Sequence, residues 1–156
     1  MEQIETVGLG ACWQDMPVGR RFKTVGRTIT ETDLINFVSA TGMLEGLFLN
    51  KEEAAIKGGQ LVPAAQVYSL AEGMLIQAIL QRVGVAFLNM ELDVKGPTFV
   101  GDTIHVVSEV IESRPSKGRP GCGLVRTRNQ VVKQDGSVVL EYTPLRLLKG
   151  HDYKGD

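Results

Sequence analysis

Val62-Pro63-Ala64-Ala65-Gln66-Val67-Tyr68-Ser69-Leu70-Ala71-Glu72-Gly73-Met74-Leu75-Ile76-Gln77-Ala78-Ile79-Leu80-Gln81-Arg82-Val83 is the stretch whose reading decides the fold. It occupies the least polar part of the chain, Gly58 to Gln81, in which Glu72 is the only charged residue. Ala64, Val67, Leu70, Ala71, Met74, Leu75, Ala78, Ile79 and Val83 cover most of a helical circumference, which predicts a helix over about 62–83 buried on most sides. Pro63 suits a first helical turn and Gly84 a C-terminal cap. The length would allow a membrane span, but Gln60, Gln66, Glu72 and Gln77 with Pro63 and Gly73 make insertion costly, so no membrane association is expected. A helix this apolar needs something wrapped around it.

The residues that follow supply the wrapping. Val85 to Lys95 alternates, with Phe87, Asn89, Glu91 and Asp93 on one face and Leu88, Met90, Leu92 and Val94 on the other. Asp102 to Glu112 repeats the period of two through Ile104, Val106, Ser108 and Val110. Leu124–Lys133 and Ser137–Leu148 flank Asp135-Gly136, a strong hairpin signal. Arg114 to Gly123, rich in Pro, Gly and basic residues, reads as the loop between two long strands. Upstream, Gly19–Thr30 reads as a first strand, and Glu31–Thr41 as a short helix capped by Thr30 or Thr32 with Leu34, Ile35, Phe37 and Val38 inward. Asn50 caps a small helix running to Lys57. The fold class is α+β: one antiparallel, curved sheet around one long central helix.

Length and composition agree with a single domain over 1–156, its core at about 19–148 between an N-terminal extension 1–18 and a tail 150–156 that should be disordered. Apolar residues make up 43% and charged residues 22%, and the net charge is −1. With the two signs interspersed, no basic stripe points to nucleic acid. Met1–Gly10 lacks the pattern of a secretory signal, and Cys12 and Cys122 lack CxxC spacing, so both read as reduced thiols in a cytoplasmic protein. Two histidines and two distant cysteines give no metal-ligand spacing. No Gly-rich phosphate loop precedes a helix, so no cofactor is expected. His105 sits in a strand and reads as a packed or surface histidine.

Val94-Lys95-Gly96-Pro97-Thr98-Phe99-Val100-Gly101-Asp102-Thr103-Ile104 resembles the F-x-x-P-V-x-x-G-D-T-L motif of the MaoC-like dehydratases and (R)-specific enoyl-CoA hydratases. Phe37-Val38-Ser39-Ala40-Thr41-Gly42, Asn50-Lys51-Glu52-Glu53-Ala54, Arg114-Pro115-Ser116, Gly123-Leu124-Val125 and Gln134-Asp135-Gly136-Ser137-Val138-Val139 are similar to that family's other segments. The likeness spans about Gly19 to Leu148. It implies a hot-dog domain that holds an enoyl or 3-hydroxyacyl thioester of coenzyme A or of an acyl carrier. It also implies a homodimer joined sheet edge to sheet edge, or a heterodimer with a catalytically intact paralogue.

The family loop S-G-D-x-N-P-x-H carries an Asp and a His five residues apart that add or remove water. In this sequence Thr41 and Gly42 match its start, which places Met43 at the Asp, Glu45 at the Asn, Gly46 at the Pro and Phe48 at the His. Neither Met43 nor Phe48 can carry a proton, and losing a general acid or base typically costs about a hundred- to ten-thousand-fold in rate. The family's A-H-G-M-L, whose glycine N–H polarises the thioester carbonyl, is replaced by Val62-Pro63-Ala64-Ala65-Gln66, where the main-chain N–H of Ala64 or Ala65 can do the same.

Substitute catalytic groups are Glu45 with Asn50, which repeat the five-residue spacing, or Glu72, since a lone carboxylate on a buried helix must be paired, protonated or facing a cavity. The blander alternatives are a solvated Glu45, an N-capping Asn50, and Glu72 in a salt bridge or dimer contact. Ser69, one turn before Glu72, can orient water or substrate or simply bond back to the backbone. Arg114, Lys117 and Arg119 can meet coenzyme A phosphates or belong to a charged loop in water. Three readings therefore stand: an enoyl/3-hydroxyacyl-thioester hydratase or dehydratase with altered catalytic groups, a non-catalytic acyl-CoA-binding protein or partner subunit, and a thioesterase using Glu72.

Overall fold

The computed structural model describes residues 1–155; Asp156, the last residue of the expected tail, lies outside them. The expected first strand forms as two short pieces, β1 (Arg21–Lys23) and β2 (Arg27–Thr28). Thr24 causes the break: its hydroxyl accepts from Val106 N–H at 3.0 Å while its own N–H donates to Val106 O, so the backbone steps sideways. Helix α1 (Glu31–Thr41) has the expected bounds. Thr30 Oγ1 accepts from Asp33 N–H and Asp33 Oδ2 from Thr30 N–H, a reciprocal cap, and Gly42 ends the helix at φ +75°. Leu34 and Val38 are buried as expected, but Ile35 is exposed.

A helical turn not anticipated, α2 (Gly46–Leu49), precedes a 3₁₀ turn over Lys51–Glu53. Asn50 caps that turn through Glu52 N–H, but the expected helix to Lys57 stops at Glu53. Beyond it Gly58 and Gly59 take φ near +138° and lie against the Phe99 ring, where a Cβ on Gly58 would stand 2.8 Å from ring carbons.

The central helix α3 (Ala64–Leu75) continues as a π-helical segment over Ile76–Leu80. It is shorter than expected at both ends. Pro63 stands outside as the N-cap at ψ 138°, and the reversal at the far end is made by Arg82 at φ +63°, not by Gly84. Val83 explains this: it is buried, and its carbonyl accepts from Lys149 N–H, which pulls the chain onto the sheet edge before Gly84 is reached. The helix is also not buried on most sides. Gln66, Val67, Ala71 and Leu75 are buried, while Ala65, Ser69, Ile76, Gln77 and Ala78 are exposed, because a single sheet covers one face only.

Six further strands follow: β3 (Gly84–Asn89), β4 (Leu92–Val94), β5 (Thr103–Pro115), β6 (Cys122–Lys133), β7 (Val138–Tyr142) and β8 (Leu145–Lys149). Pairing is antiparallel throughout. β1 and β2 flank β5, β5 pairs β6, β6 pairs both β7 and β8, and these pair β4 and β3 in turn. The expected strand over Val85–Lys95 is thus split at Met90-Glu91, and that over Ser137–Leu148 at Thr143-Pro144. β5 buries Ile104, Val106, Ser108 and Val110, the alternation read from the sequence. Ile104 and Val106 meet Val67, Ala71 and Leu75 of α3 together with Ile29, Val131, Leu140 and Tyr142 in one core, while Val110 packs with Met16, Val83, Val125 and Leu148 in a second cluster. At roughly 1.5–3 kcal/mol per fully buried aliphatic or aromatic side chain, this face dominates the fold's stability.

The Gly101-Asp102-Thr103 motif turns out to be structural. Asp102 Oδ2 accepts from Phe99 N–H at 2.8 Å and faces Lys133 Nζ at 2.9 Å, and Oδ1 accepts from Gln134 Nε2 at 2.8 Å. Its backbone carbonyl accepts from Ile29 N–H, so one residue ties β2, the β5 entry and the β6–β7 hairpin together. Parts of both terminal segments also join the body. Gly10 and Ala11 N–H groups donate to Gln81 and Ile79 carbonyls, Met16 is buried, and Lys149 Nζ lies 5.0 Å from the Tyr153 ring centroid, so the tail is docked as far as Tyr153, where disorder was expected.

Candidate functional site

The N-terminus of α3 opens into an apolar cavity of about 410 Å³. Val62, Pro63, Ala64 and Val67 form its floor, Leu47, Phe48 and Ile56 one wall, Val94 to Thr98 the other, and Val139 and Leu140 its back. The motif segment Val94-Lys95-Gly96-Pro97-Thr98 that carried the family resemblance is therefore a cavity wall. Val62 N–H donates to Thr98 O at 2.8 Å, fixing that wall to the helix start. Among the described residues, the N–H groups of Ala64 and Ala65 have no hydrogen-bond acceptor, while Gln66 and Val67 N–H already reach Pro63 O. Two free donors at the positive end of a helix dipole, with Ala64 on the cavity wall, suit a polarised carbonyl oxygen.

Among the described residues, Lys95 is the only ionisable side chain on the cavity wall, and it is half-exposed, 4.0 Å from Asp93. Phe48, which the sequence resemblance sets against the family's His, lines the cavity, and Met43, which it sets against the Asp, is half-buried. Glu45 is spent on local structure: Oε2 accepts from Leu47 N–H at 3.0 Å as the cap of α2. Asn50 caps the next turn and donates from Nδ2 to Glu53 Oε1 at 2.9 Å; it borders an adjoining polar groove, not the apolar cavity.

Glu72 lies about 12 Å further along the helix axis, eight residues at roughly 1.5 Å each. Its Oε1 accepts from Arg146 Nη2 at 2.5 Å and from Tyr142 Oη at 2.8 Å. Burial, then the Glu72 charge, pushes the Tyr142 hydroxyl well above the ordinary tyrosine range, so it stays a donor. Tyr68, edge-on to Tyr142 at 5.2 Å between centroids, is pushed up by the same two causes. Ser69 donates to Ala65 O at 2.8 Å and faces outward beside a shallow cleft with Asp33, Asn36 and Gln66.

Arg114, Lys117 and Arg119 sit at the β5–β6 turn, and Arg114 is paired with Glu112 at 2.9 Å. None of the three lines the cavity. Of the site residues named from sequence, Ala64 lines the cavity; the segment 94–98 reads in sequence only as a family likeness and not as a wall. The sequence reading missed Leu47, Ile56, Val139 and Leu140, which carry no chemical signal beyond being apolar.

The FAS1-like dehydratase domain region matches residues 17–142. The beta-methylmalyl-CoA dehydratase of Chloroflexus aurantiacus is 26% identical over 132 residues, which cover 81% of this chain and 36% of that protein. The chain therefore spans about a third of the length of that curated relative. A solved monoamine oxidase regulatory protein from Archaeoglobus superposes with a TM-score of 0.80 at 27% identity, covering 91% of this chain and 96% of that one. A MaoC-like dehydratase from Rhodospirillum rubrum superposes at 0.81 with 24% identity, covering 92% and 100%, a likeness of fold. No helix among the described residues is long and apolar enough to cross a membrane. With the match running through nearly the whole sheet-and-helix body, the chain belongs to the FAS1-like dehydratase domain family, and its architecture is the hot-dog fold of the MaoC-like dehydratases.

Proposed function

We propose that this protein is the thioester-binding subunit of an enoyl/3-hydroxyacyl-thioester hydratase or dehydratase. The acyl tail occupies the cavity of about 410 Å³, and the thioester carbonyl accepts from the Ala64 and Ala65 N–H groups. One observation carries the reading: a cavity walled by apolar side chains ends at unpartnered helix-start donors, with Phe48 where the family's proton carrier stands. Such a site binds and polarises an acyl thioester, and among its described lining residues the half-exposed Lys95 is the one ionisable group.

The acid–base pair then comes from a second subunit. The edge formed by β3 and β4 supports this, with Phe87, Leu88, Leu92 and Val94 exposed on it and Ile76 exposed on the adjoining helix. An apolar sheet edge of this kind pairs with another chain. A second copy carries the same Met43 and Phe48 and cannot supply the pair, so the catalytic partner is a paralogue; the purified protein alone covers this edge with itself, and light scattering at micromolar concentration is expected to give twice the mass of 17.0 kDa.

Calorimetric titration with butyryl-CoA and crotonyl-CoA, followed by a hydration assay, tests the proposal. Saturable binding is expected, with crotonyl-CoA hydration by the purified protein at least about a hundredfold below that of an intact acid–base pair. No binding of any acyl-CoA from two to twelve or so carbons overturns the thioester reading. Ordinary hydratase turnover overturns the subunit reading and restores the chain to the active enzymes, with Glu45 and Asn50 as the groups to substitute next.

A further inference from the structure

We propose that Cys12, Asp15 and His151 form a binding site for one zinc-class divalent cation, which clips the N-terminal segment to the C-terminal tail. The thiol sulfur, a carboxylate oxygen and an imidazole nitrogen all lie within 4.8 Å of one another. His151 Nε2 is 3.0 Å from Asp15 Oδ1, although the residues are 136 positions apart. Ligand atoms around a tetrahedral zinc stand roughly 3–4 Å apart, given bonds of about 2.0 Å to nitrogen and oxygen and about 2.3 Å to sulfur. The N···O pair already has that spacing, and the sulfur has little more than about 1 Å to travel.

The frame that holds the three is built independently of any ion. Residues 12–15 form a tight turn in which Asp15 N–H donates to Cys12 O at 2.9 Å and Cys12 N–H to Asp15 Oδ2 at 3.2 Å, leaving Oδ1 turned toward the histidine. Trp13, in the middle of this turn, lies flat against Gly123 and Gly150. A Cβ on Gly123 would fall 2.2 Å from the indole ring, and one on Gly150 would fall 2.8 Å from Nε1. Only glycine at those two positions lets the indole fasten the turn to β6 and to the end of β8. Gly150 N–H donates to Gly121 O at 2.7 Å, and His151 N–H to Gln14 Oε1 at 3.2 Å, so the histidine is delivered by its backbone. Arg20 donates to the Asp15 carbonyl.

A thiolate, an imidazole and one carboxylate select a borderline-soft cation over Mg²⁺ or Ca²⁺, which prefer all-oxygen shells. On binding, the thiol gives its proton to solvent and water takes the fourth position. The site shares no residue with the acyl cavity, so it succeeds or fails apart from the thioester reading.

Titration of the tag-free, reduced, full-length protein with Co²⁺ tests it, because only a thiolate ligand gives the intense sulfur-to-cobalt band in the near ultraviolet. The band is expected to saturate at one equivalent, to vanish in Cys12→Ser, and to persist in Cys122→Ser. His151→Ala and Asp15→Asn are expected to weaken Co²⁺ binding at least about tenfold, and Zn²⁺ should raise the Tm of the wild type but not of these variants. His151 and Asp15 are substantially exposed, so both variants should fold and the test stays decisive if Cys12→Ser does not. Absence of the band at millimolar Co²⁺, or a band that survives Cys12→Ser or ignores both other substitutions, overturns the proposal.

Discussion

Arg146 Nη2 lies 2.5 Å from Glu72 Oε1, with each side chain only 13% exposed and the Tyr142 hydroxyl donating to the same oxygen. A carboxylate committed in this way belongs to the sheet–helix contact. Arg146→Met is expected to cost about 3 kcal/mol in urea unfolding, because it leaves a largely buried carboxylate without its cation. Replacing both residues by methionine should cost less than either single change. The same pairing bears on hydrolysis: Glu72→Gln should leave any release of free CoA unchanged, and its abolition would make Glu72 the water-activating group of a thioesterase.

Ala64→Pro probes the helix-start donors with little structural disturbance. Proline is tolerated at the first helical position, and Pro63 at φ −56°, ψ 138° already has the extended backbone that a following proline requires. The variant should keep its Tm and lose one donor, weakening acyl-thioester binding about tenfold, or about 1.4 kcal/mol. A non-hydrolysable thioether analogue without the carbonyl should bind wild type and variant alike.

Restoring the missing pair is the sharpest test of what the loop substitutions did. Met43→Asp with Phe48→His is expected to raise crotonyl-CoA hydration by about a hundredfold or more over wild type, with either single change giving much less. No gain in a folded double variant would mean that the loop, with Glu45 capping α2, no longer presents these positions to the substrate.

Asp102 makes stability depend on acid. Burial pushes its carboxyl up, but hydrogen bonds from Gln134, Lys133 and Phe99 N–H and the Lys133 charge outweigh burial and hold it below the ordinary value of 3.8. A carboxyl lowered in the folded state contributes stability above its unfolded value, and that contribution is lost as pH falls through the folded one. Unfolding followed by circular dichroism should show wild-type stability falling steeply below about pH 4, and Asp102→Asn should be less stable at pH 7 with a flatter acid limb.

The wrapped-helix plan was legible because its signals are periodic and local: period two in 103–110, the Thr30 cap, and the Asp135-Gly136 turn, whose Gly136 sits at φ +84°. Breaks were not legible where they answer to distant partners. Thr24 leaves its strand for Val106, and Arg82 takes a left-handed conformation because Val83 is claimed by Lys149 across the sheet. Of the site, the helix-start N–H groups of Ala64 and Ala65 could be named as candidates, since they are backbone features of a contiguous segment. The apolar walls from Leu47, Ile56, Val139 and Leu140 could not, because an aliphatic side chain lining a cavity looks in sequence like one filling a core.

By itself the sequence determined where the central helix and the long strands lie and that Met43 and Phe48 cannot carry protons, since these follow from residue chemistry and short-range spacing. Only the tertiary structure decided that Glu72 is neutralised by Arg146, that one helix face stays open, and that Cys12 and Asp15 meet His151. Those outcomes depend on contacts between residues 74 to 139 positions apart, which are set by how the sheet curves and where its edges fall.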